Sequence, residues 1–485
     1  MLSLSPITHS DALGYHLYTA LSILKDGAYT YSLFHFHSFL SGAGEIFIAL
    51  GLLFGSDQFA NIIQFAALIP VIGIIKEISN RNYFYLLLTI LSPTLVFLVS
   101  ASKPQLYFAC SNFVIFSLFV LKFNSLNSNN NSILFSRYFI TTLILIISVH
   151  GKFSFILSSG IIGIIMLANS IYNKKIIIFI FSVLSASIIL YFPVILWKLA
   201  TFGGNIFDYM LTPIPTSIIG SELMNPYIVS YKRHETFLYL IFPKNIGQIT
   251  YSIGFACLYL LFIFLIKKKD KDFYLITGSI TLFIIVVILK GPVVARFFIE
   301  PYFWLILLLV KYDFYRKVKL IDFISRAQGL IIIPILLYGI YSLSSASISN
   351  KMREKVLENN ANGYLLFKWA NSKLKPDDVV ITAHRSVGYA KFNVIPDEFV
   401  SWAIFDNENT IKVYKDLLME KNPSYILGEE KYLMMRYKNC LGNIFAEGIN
   451  VNMHAARNPF NRSKNRTNAH IYEIDVEKFP ECVDQ

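Results

Sequence analysis

Residues 136–172 read SRYFITTLILIISVHGKFSFILSSGIIGIIMLANSIY, two apolar runs divided by the polar turn His150-Gly151-Lys152. A helix needs roughly 17–25 residues to cross the hydrocarbon core of a bilayer. The pattern is that of two membrane helices joined at one surface. Comparable runs at 58–75, 83–101, 104–121, 176–197, 249–266, 273–290, 293–310 and 321–343 join 136–150 and 153–172 to give about ten candidate helices. The segments beginning at 136 and 293 are the least regular, being short or interrupted by Pro301. Composition agrees. The 485 residues are 55% apolar and 15% charged, with a mean hydropathy of +0.53. Soluble domains carry about 25% charged residues, so a water-soluble globule is excluded.

Charge is unevenly spread. Roughly half of all Lys, Arg, Asp and Glu fall in residues 350–485, which reads as a soluble domain after a membrane body at 58–349. The tail is close to neutral, so the +12 net charge belongs almost wholly to the membrane body. Its cations are scattered through short interhelical loops, which argues against nucleic acid. Alternate loops carry Lys76 and Arg81, Lys122 and Arg137, Lys174 and Lys175, Lys267 to Lys271, and Lys311 to Lys319. The opposite short loops hold only Lys103, Lys152, Lys290 and Arg296. The positive-inside rule makes the first set cytoplasmic. The second set, the long loop 198–248 and the tail from 350 then face outward. Residues 1–57 fall on the outer side as well, with the Gly-containing run Gly42 to Phe54 an interfacial helix. An outward N-terminal segment predicts that an upstream first helix is missing from this chain.

Ionisable groups beside membrane spans are functional candidates by default. The opening reads Ser10-Asp11-Ala12-Leu13-Gly14-Tyr15-His16. Ser10 is an N-cap candidate, and Asp11 either serves the helix dipole or stands ready to take a proton from an acceptor hydroxyl. Lys103 follows Ser100-Ala101-Ser102, and Lys152 sits in His150-Gly151-Lys152-Phe153. Arg296 and Glu300 are four residues apart, a spacing that predicts an ion pair on one helix face. Singly, each reads as a structural or snorkelling charge. Together, several cations opposite one carboxylate suit a lipid-linked phosphate. Loop 198–248 adds Gly203-Gly204, Pro213, Pro215, Pro226 and Lys232-Arg233-His234-Glu235, and loops of such length tend to be functional.

His35 and His37 flank Phe36, but no carboxylate or Cys stands at ligand spacing, and no metal is assigned. Cys110 and Cys257 read as packing residues, whereas Cys440 and Cys482 could pair in an outward tail. No phosphate-cradling Gly-rich loop, nucleophile elbow or zinc-protease helix is present. The tail has α/β character: a helix over 364–374, strands at 378–382, 392–395, 425–427 and 471–474, a helix over 411–421, and a basic loop at 453–466.

These residues resemble the GT-C superclass of integral-membrane glycosyltransferases, particularly bacterial members of unassigned substrate. Asp11 followed by Tyr15-His16 is similar to the superclass's opening outer loop, and Ser41-Gly42-Ala43-Gly44-Glu45 to its interfacial segment with a Glu. Ser102-Lys103-Pro104-Gln105 is similar to a Lys-x-Asp site in which Gln105 replaces the acid. Gly151-Lys152-Phe153 resembles a Gly-Lys-Tyr element, and Arg296 to Pro301 an Arg-x4-Pro element. The resemblance implies a polytopic GT-C-like body with a soluble α/β domain, in a cytoplasmic membrane. It implies transfer of a sugar from a polyprenyl-phosphate donor to a lipid or glycan acceptor on the outer face, usually with inversion and with no cofactor beyond the lipid-linked donor. Asp11 would be the general base, and Arg296 with Lys103 or Lys152 would hold the donor phosphate; Tyr15, His16, Glu45 and Glu300 would complete the substrate site. Two other classes fit a basic polytopic chain: a polysaccharide flippase or polymerase, which should carry charges along a central cavity, and a non-catalytic envelope assembly protein.

Overall fold

A computed structural model describes the chain except residues 10, 29–41, 81, 122–129, 203–205, 207–237, 244–250, 268, 291–293, 315–317, 383, 385, 397–417, 454–465, 476 and 480–485. The loop cluster at 203–235, His35, His37 and Cys482, and most of the helix expected over 411–421, lie outside the described residues.

The membrane body is assembled from α1 (Leu17–Asp26), α2 (Ala43–Leu53), α3 (Phe59–Ile78), α4 (Tyr83–Ile90), α5 (Pro93–Val99), α6 (Leu106–Leu121), α7 (Asn131–Gly151), α8 (Ile156–Tyr172), α9 (Ile176–Ala186), α10 (Phe192–Phe202), α11 (Lys271–Lys290), α12 (Ile299–Lys311) and α13 (Lys319–Leu343). Among the described residues, six helical stretches are long and apolar enough to cross a membrane: 59–78, 131–151, 153–172, 176–200, 271–289 and 319–347. The expected span at 83–101 is instead two short helices. Pro93 lacks the N–H that would continue the first helix, so α4 stops and α5 restarts with Ser92 ahead of it. The run at 249–266 forms a 3-10 helix, Phe255–Leu265, after Gly254, whose φ of +115° suits only glycine.

The helix that looked least regular in the sequence is the centre of the bundle. Every residue of α12 from Ile299 to Val310 is buried, and a helix apolar on all sides must be enclosed on all sides. Trp304 stacks on Phe116 at 4.6 Å and meets Phe283 edge-on at 5.7 Å. Tyr85 and Tyr302, each buried, send their hydroxyls to the carbonyls of Leu309 and Leu88. By contrast only 11% of the 176–200 stretch is buried, and it presents Ile177, Phe181, Leu184, Ile188 and Ile189 outward. Such a perimeter is solvated by lipid rather than water. The chain is a multi-pass membrane protein.

After α13 the chain enters a five-stranded sheet of order β2-β1-β3-β5-β4, formed by β1 (Val379–Thr382), β2 (Asn393–Pro396), β3 (Tyr425–Gly428), β4 (Leu441–Met453) and β5 (Arg466–Ile474). Strand alternation sends Val380, Leu427 and Ile471 to one face, against Leu366 and Phe367, and Ile381, Ile426 and Tyr472 to the other, against Leu433. Four of the strands match the sequence expectation. β4 was missed because its residues, from Leu441 to Met453, include five Gly or Asn and alternate poorly. Cys440 at its head is disulfide-bonded, while Cys110 and Cys257 are free. β1 and β2 run parallel, and a parallel pair cannot close through a tight turn. The excursion between them carries Val387–Tyr389 onto the start of the chain: the Tyr389 hydroxyl donates to the Ile7 carbonyl at 2.7 Å. Gly388 packs there too, where an added Cβ would lie 2.9 Å from the Leu13 carbonyl oxygen. Arg353 bonds Asp57 at 2.7 Å, and Asp57 accepts the Ile7 N–H at 3.1 Å.

Gln328 of α13 straps the two irregular segments together, donating to the Leu91 carbonyl at 3.0 Å and accepting the Phe255 N–H at 2.6 Å. Gln328→Leu leaves both backbone groups without that partner. It should cost about 1–3 kcal/mol per buried group, measured as a lowered thermal midpoint of the detergent-solubilised chain; an unchanged midpoint would show that the strap is dispensable.

Candidate active site

Four connections meet at one end of the helical body. They are a π-helical turn at Ala12–His16, the turn from Ser100 to Gln105 between α5 and α6, the Gly151-Lys152 corner between α7 and α8, and a 3-10 turn at Ala295–Phe298 before α12. Two amides on α3, Asn61 and Gln64, build the second of them. The Asn61 carbonyl oxygen accepts both the backbone N–H of Ser102 at 2.6 Å and its hydroxyl at 2.8 Å, holding Ser102 at φ +50°. The Gln64 carbonyl oxygen accepts the Leu106 N–H at 3.1 Å, at the start of α6. Lys103, between them, is driven inward and is only 1% exposed.

Its ammonium donates to the Asp11 carboxylate, and the same oxygen lies 3.6 Å from the Arg296 guanidinium. An acid and two bases separated by 92 and 193 positions of chain therefore share one point. Burial pushes the Asp11 carboxyl up, but the charges of Lys103, His9 and Arg296 outweigh it and hold the group well below the ordinary carboxylate range. The helix-dipole reading of Asp11 gives way to this pairing. Gln105, which stands where the resembling motif has an acid, bridges the remaining parts. Its carbonyl oxygen accepts from Lys152 at 3.2 Å, and its amide donates to the Arg296 carbonyl at 2.7 Å. Lys152 and Arg296 each lie 5.5 Å from the Phe297 ring centroid. Burial, and then the charges of Arg296 and Lys103, press the Lys152 ammonium well below the usual lysine value, with Glu45 and Asp11 opposing.

His16 and Glu45 form a second pair, both almost fully buried, with Nδ1 and Oε1 2.5 Å apart. The other Glu45 oxygen accepts the Gly42 N–H at 2.8 Å, at the N-terminus of α2. Burial lowers the His16 pKa from its ordinary value of 6.5, the Glu45 carboxylate opposes this, and Lys152 and Lys103 reinforce it. The Tyr15 ring lies 4.0 Å from that of His16. The expected ion pair of Arg296 with Glu300 does not form. Helical spacing puts residues four apart on one face only inside a helix, and α12 begins at Ile299, so Arg296 stands in the preceding 3-10 turn and reaches Asp11. Glu300 is buried behind it and accepts from the Asn112 amide at 3.0 Å. Sequence reasoning passed over Asn61, Gln64 and Phe297 and saw Gln105 only as a departure; buried amides in apolar helices were the available signal, since such groups must find partners.

Two families match in sequence: one described as the DUF1420 N-terminal domain over residues 1–357, the other as the DUF1420 C-terminal domain over residues 358–485. The chain belongs to the DUF1420 family. No curated protein matches the DUF1420 chain in sequence. Among solved structures it is similar to ArnT from Cupriavidus metallidurans bound to undecaprenyl phosphate, with a TM-score of 0.59 at 9% identity over 97% of this chain and 95% of that one. The apo state of the same protein gives a TM-score of 0.55 at 10% identity, over 97% and 94% of the two chains. Identity this low speaks for the fold alone. The GT-C-like fold with a strand-containing C-terminal domain, expected from the sequence resemblance, is the fold found.

The site of the DUF1420 chain depends on close backbone contact. A Cβ on Gly42 would fall 1.7 Å from the His150 carbonyl oxygen, and one on Gly44 2.3 Å from Pro104. Gly42→Ala should force α2 away from the Lys152 corner and destabilise the chain by about 1–3 kcal/mol. Gly73→Ala, whose methyl meets nothing within 4 Å, should be neutral or slightly stabilising. Thermal unfolding of the two variants side by side checks this, and equal midpoints would refute the packing argument.

Proposed function

We propose that the chain is a membrane glycosyltransferase that moves a sugar from a polyprenyl-phosphate donor to a lipid or glycan acceptor. The observation that carries this reading is the meeting of buried Lys103 with half-buried Arg296 and Lys152 beside one carboxylate. Among the described residues, Lys103 and Arg296 pair with Asp11, Lys152 is held beside them by Gln105, and Glu45 faces His16. A phosphate group entering here would supply the negative charge the cluster lacks. It would favour the charged form of Lys152 and gain the planar two-pronged donation that an arginine offers. In transfer, the bond from the sugar's anomeric carbon to the phosphate oxygen breaks as the acceptor oxygen attacks from the opposite face. Charge then grows on the leaving phosphate, where preorganised cations in a dry site lower the barrier most. Asp11 is the carboxylate at this centre, and Gln105 keeps Lys152 and the Arg296 backbone in register. The likeness to an ArnT bound to undecaprenyl phosphate supports a lipid-phosphate ligand, and the loop charges support an outward-facing site in the cytoplasmic membrane. Inversion at the anomeric carbon, a role in cell-envelope glycosylation and an extracytoplasmic tail complete the proposal.

Membranes containing the chain are to be incubated with a panel of radiolabelled undecaprenyl-phosphate hexoses and pentoses. Transfer of label to lipid or glycan is expected. Asp11→Asn and Arg296→Ala should each reduce it by about 10²–10⁴-fold without loss of expressed protein. Transport of the donor across the bilayer without transfer would replace this reading with that of a flippase, and full activity in both variants would remove the site.

A further inference from the structure

The reading of the site as one for sugar transfer leaves open which group receives the acceptor's proton, and the inference that follows rests on that reading. Asp11 is the residue that the resemblance implies. Its carboxylate, however, is shared between Lys103 and Arg296, and a carboxylate so neutralised is a weak base. The neighbouring pair is built differently. The Glu45 carboxylate receives the Gly42 N–H on one oxygen and faces His16 Nδ1 with the other. An ionised carboxylate can only accept hydrogen bonds, so the pair puts the imidazole proton on Nδ1 and leaves a lone pair on Nε2. That Nε2 is buried and has no hydrogen-bond partner. A buried nitrogen acceptor without a partner carries a free-energy cost that a native structure rarely bears without use.

The local backbone explains how the His16 ring comes within reach of the charges of Lys103 and Lys152. The Leu17 N–H bonds the Ala12 carbonyl, five residues back, which widens the turn. In a regular α-helix Asp11 and His16 would stand about 140° apart around the axis; the wider turn brings them to neighbouring sides. Glu45 stands in the first turn of α2, whose Gly42 and Gly44 pack against His150 and Pro104, so the His16–Glu45 pair lies beside the two turns that carry Lys103 and Lys152, and both lysines act on the ring electrostatically. The groups facing it are Glu45 from α2, Lys103 from the α5–α6 turn, Lys152 from the α7–α8 corner, and Tyr15 from its own segment.

We propose that His16 Nε2 takes the acceptor's proton, with Glu45 as its positioning residue and Asp11 as the counter-charge that holds the phosphate-binding cations in place. The acceptor hydroxyl donates to Nε2. As its oxygen bonds to the anomeric carbon, the proton passes to Nε2 and the sugar–phosphate bond breaks, its electron pair leaving with polyprenyl phosphate on Lys103, Arg296 and Lys152. The imidazolium so formed is stabilised by Glu45 until its proton is lost to water. The acceptor class is therefore one with a free hydroxyl, neutral at the reacting atom.

Two measurements test this. In the first, pH profiles of transfer from the undecaprenyl-phosphate sugar that the wild-type chain uses are compared. Rate should fall on acidification below pH 6.5, the ordinary histidine value, because only the neutral ring can accept a proton. His16→Gln should lose about 10²–10⁴-fold in kcat together with that acidic limb, and Glu45→Gln should shift the limb while retaining part of the rate. Asp11→Asn should keep the limb on whatever residual rate it has. A limb that vanishes in Asp11→Asn and persists in His16→Gln assigns the base to Asp11 and overturns the proposal. The second measurement needs no substrate. In ¹⁵N-histidine NMR of the full chain at pH 7, with His16→Gln identifying the signal, a neutral ring protonated on Nδ1 is expected. A ring protonated on Nε2, or a charged ring, overturns the proposal even where no donor has been found. Absence of transfer from every donor, with the expected ring state, refutes the glycosyltransferase reading and leaves the assigned tautomer standing.

Discussion

A half-buried carboxylate held between a lysine and an arginine sets the terms for everything around it. Taking such charges out of water costs several kcal/mol for each ion, recovered only if geometry and additional hydrogen bonds are good. Asp11, Lys103 and Arg296 come from three distant parts of the chain, and each is supported separately. Asn61 fixes the turn beside Lys103, Gln105 ties the backbone at Arg296 to Lys152, and the widened turn after Asp11 sets its direction. Breaking one partner of a buried ion group leaves the others uncompensated, so this cluster couples the N-terminal segment, the α5–α6 turn and the entry to α12 into one unit.

The same constraint accounts for the helices that fall short of spanning length. α4 and α5 break at Pro93, and the Phe255–Leu265 segment follows Gly254, whose positive φ only glycine readily allows. Backbone groups exposed by such breaks cannot be left in lipid. Here they are answered from inside the bundle: Ser92 and Thr94 hydroxyls bond the carbonyls of Ile253 and Ser252, both at 2.7 Å, and Gln328 spans the two breaks. The backbone groups freed at these two breaks are thus answered by protein rather than lipid. α12 can then run through the centre with apolar residues on every side and deliver Arg296 at its head.

The soluble domain is joined to the site through Val387–Tyr389, which seats on the segment carrying Asp11 and His16. The parallel β1–β2 pair makes that excursion necessary, so the topology of the tail sheet and the placement of the first turn are physically linked. Asp57 adds a second tie by serving both Arg353 and the Ile7 N–H.

The sequence by itself determined the class of the protein. Long apolar runs have few solutions other than membrane helices, and the rise in charge after residue 350 separates a soluble domain from them. It also named Asp11, Lys103, Lys152 and Arg296, because ionisable residues beside apolar runs are rare enough to stand out. Strand positions in the tail were legible wherever apolar residues alternated, and β4 was lost where Gly and Asn blurred that alternation. Tertiary structure alone decided the partners. Spacing suggested Arg296 with Glu300, yet the helix starts three residues too late for that rule and the guanidinium turns to Asp11. The Glu45–His16 pair and the bridging role of Gln105 join residues 29 and 47 positions or more from their partners. Linear periodicity carries no information over such separations, since which loops meet at the end of a helix bundle depends on how the helices pack.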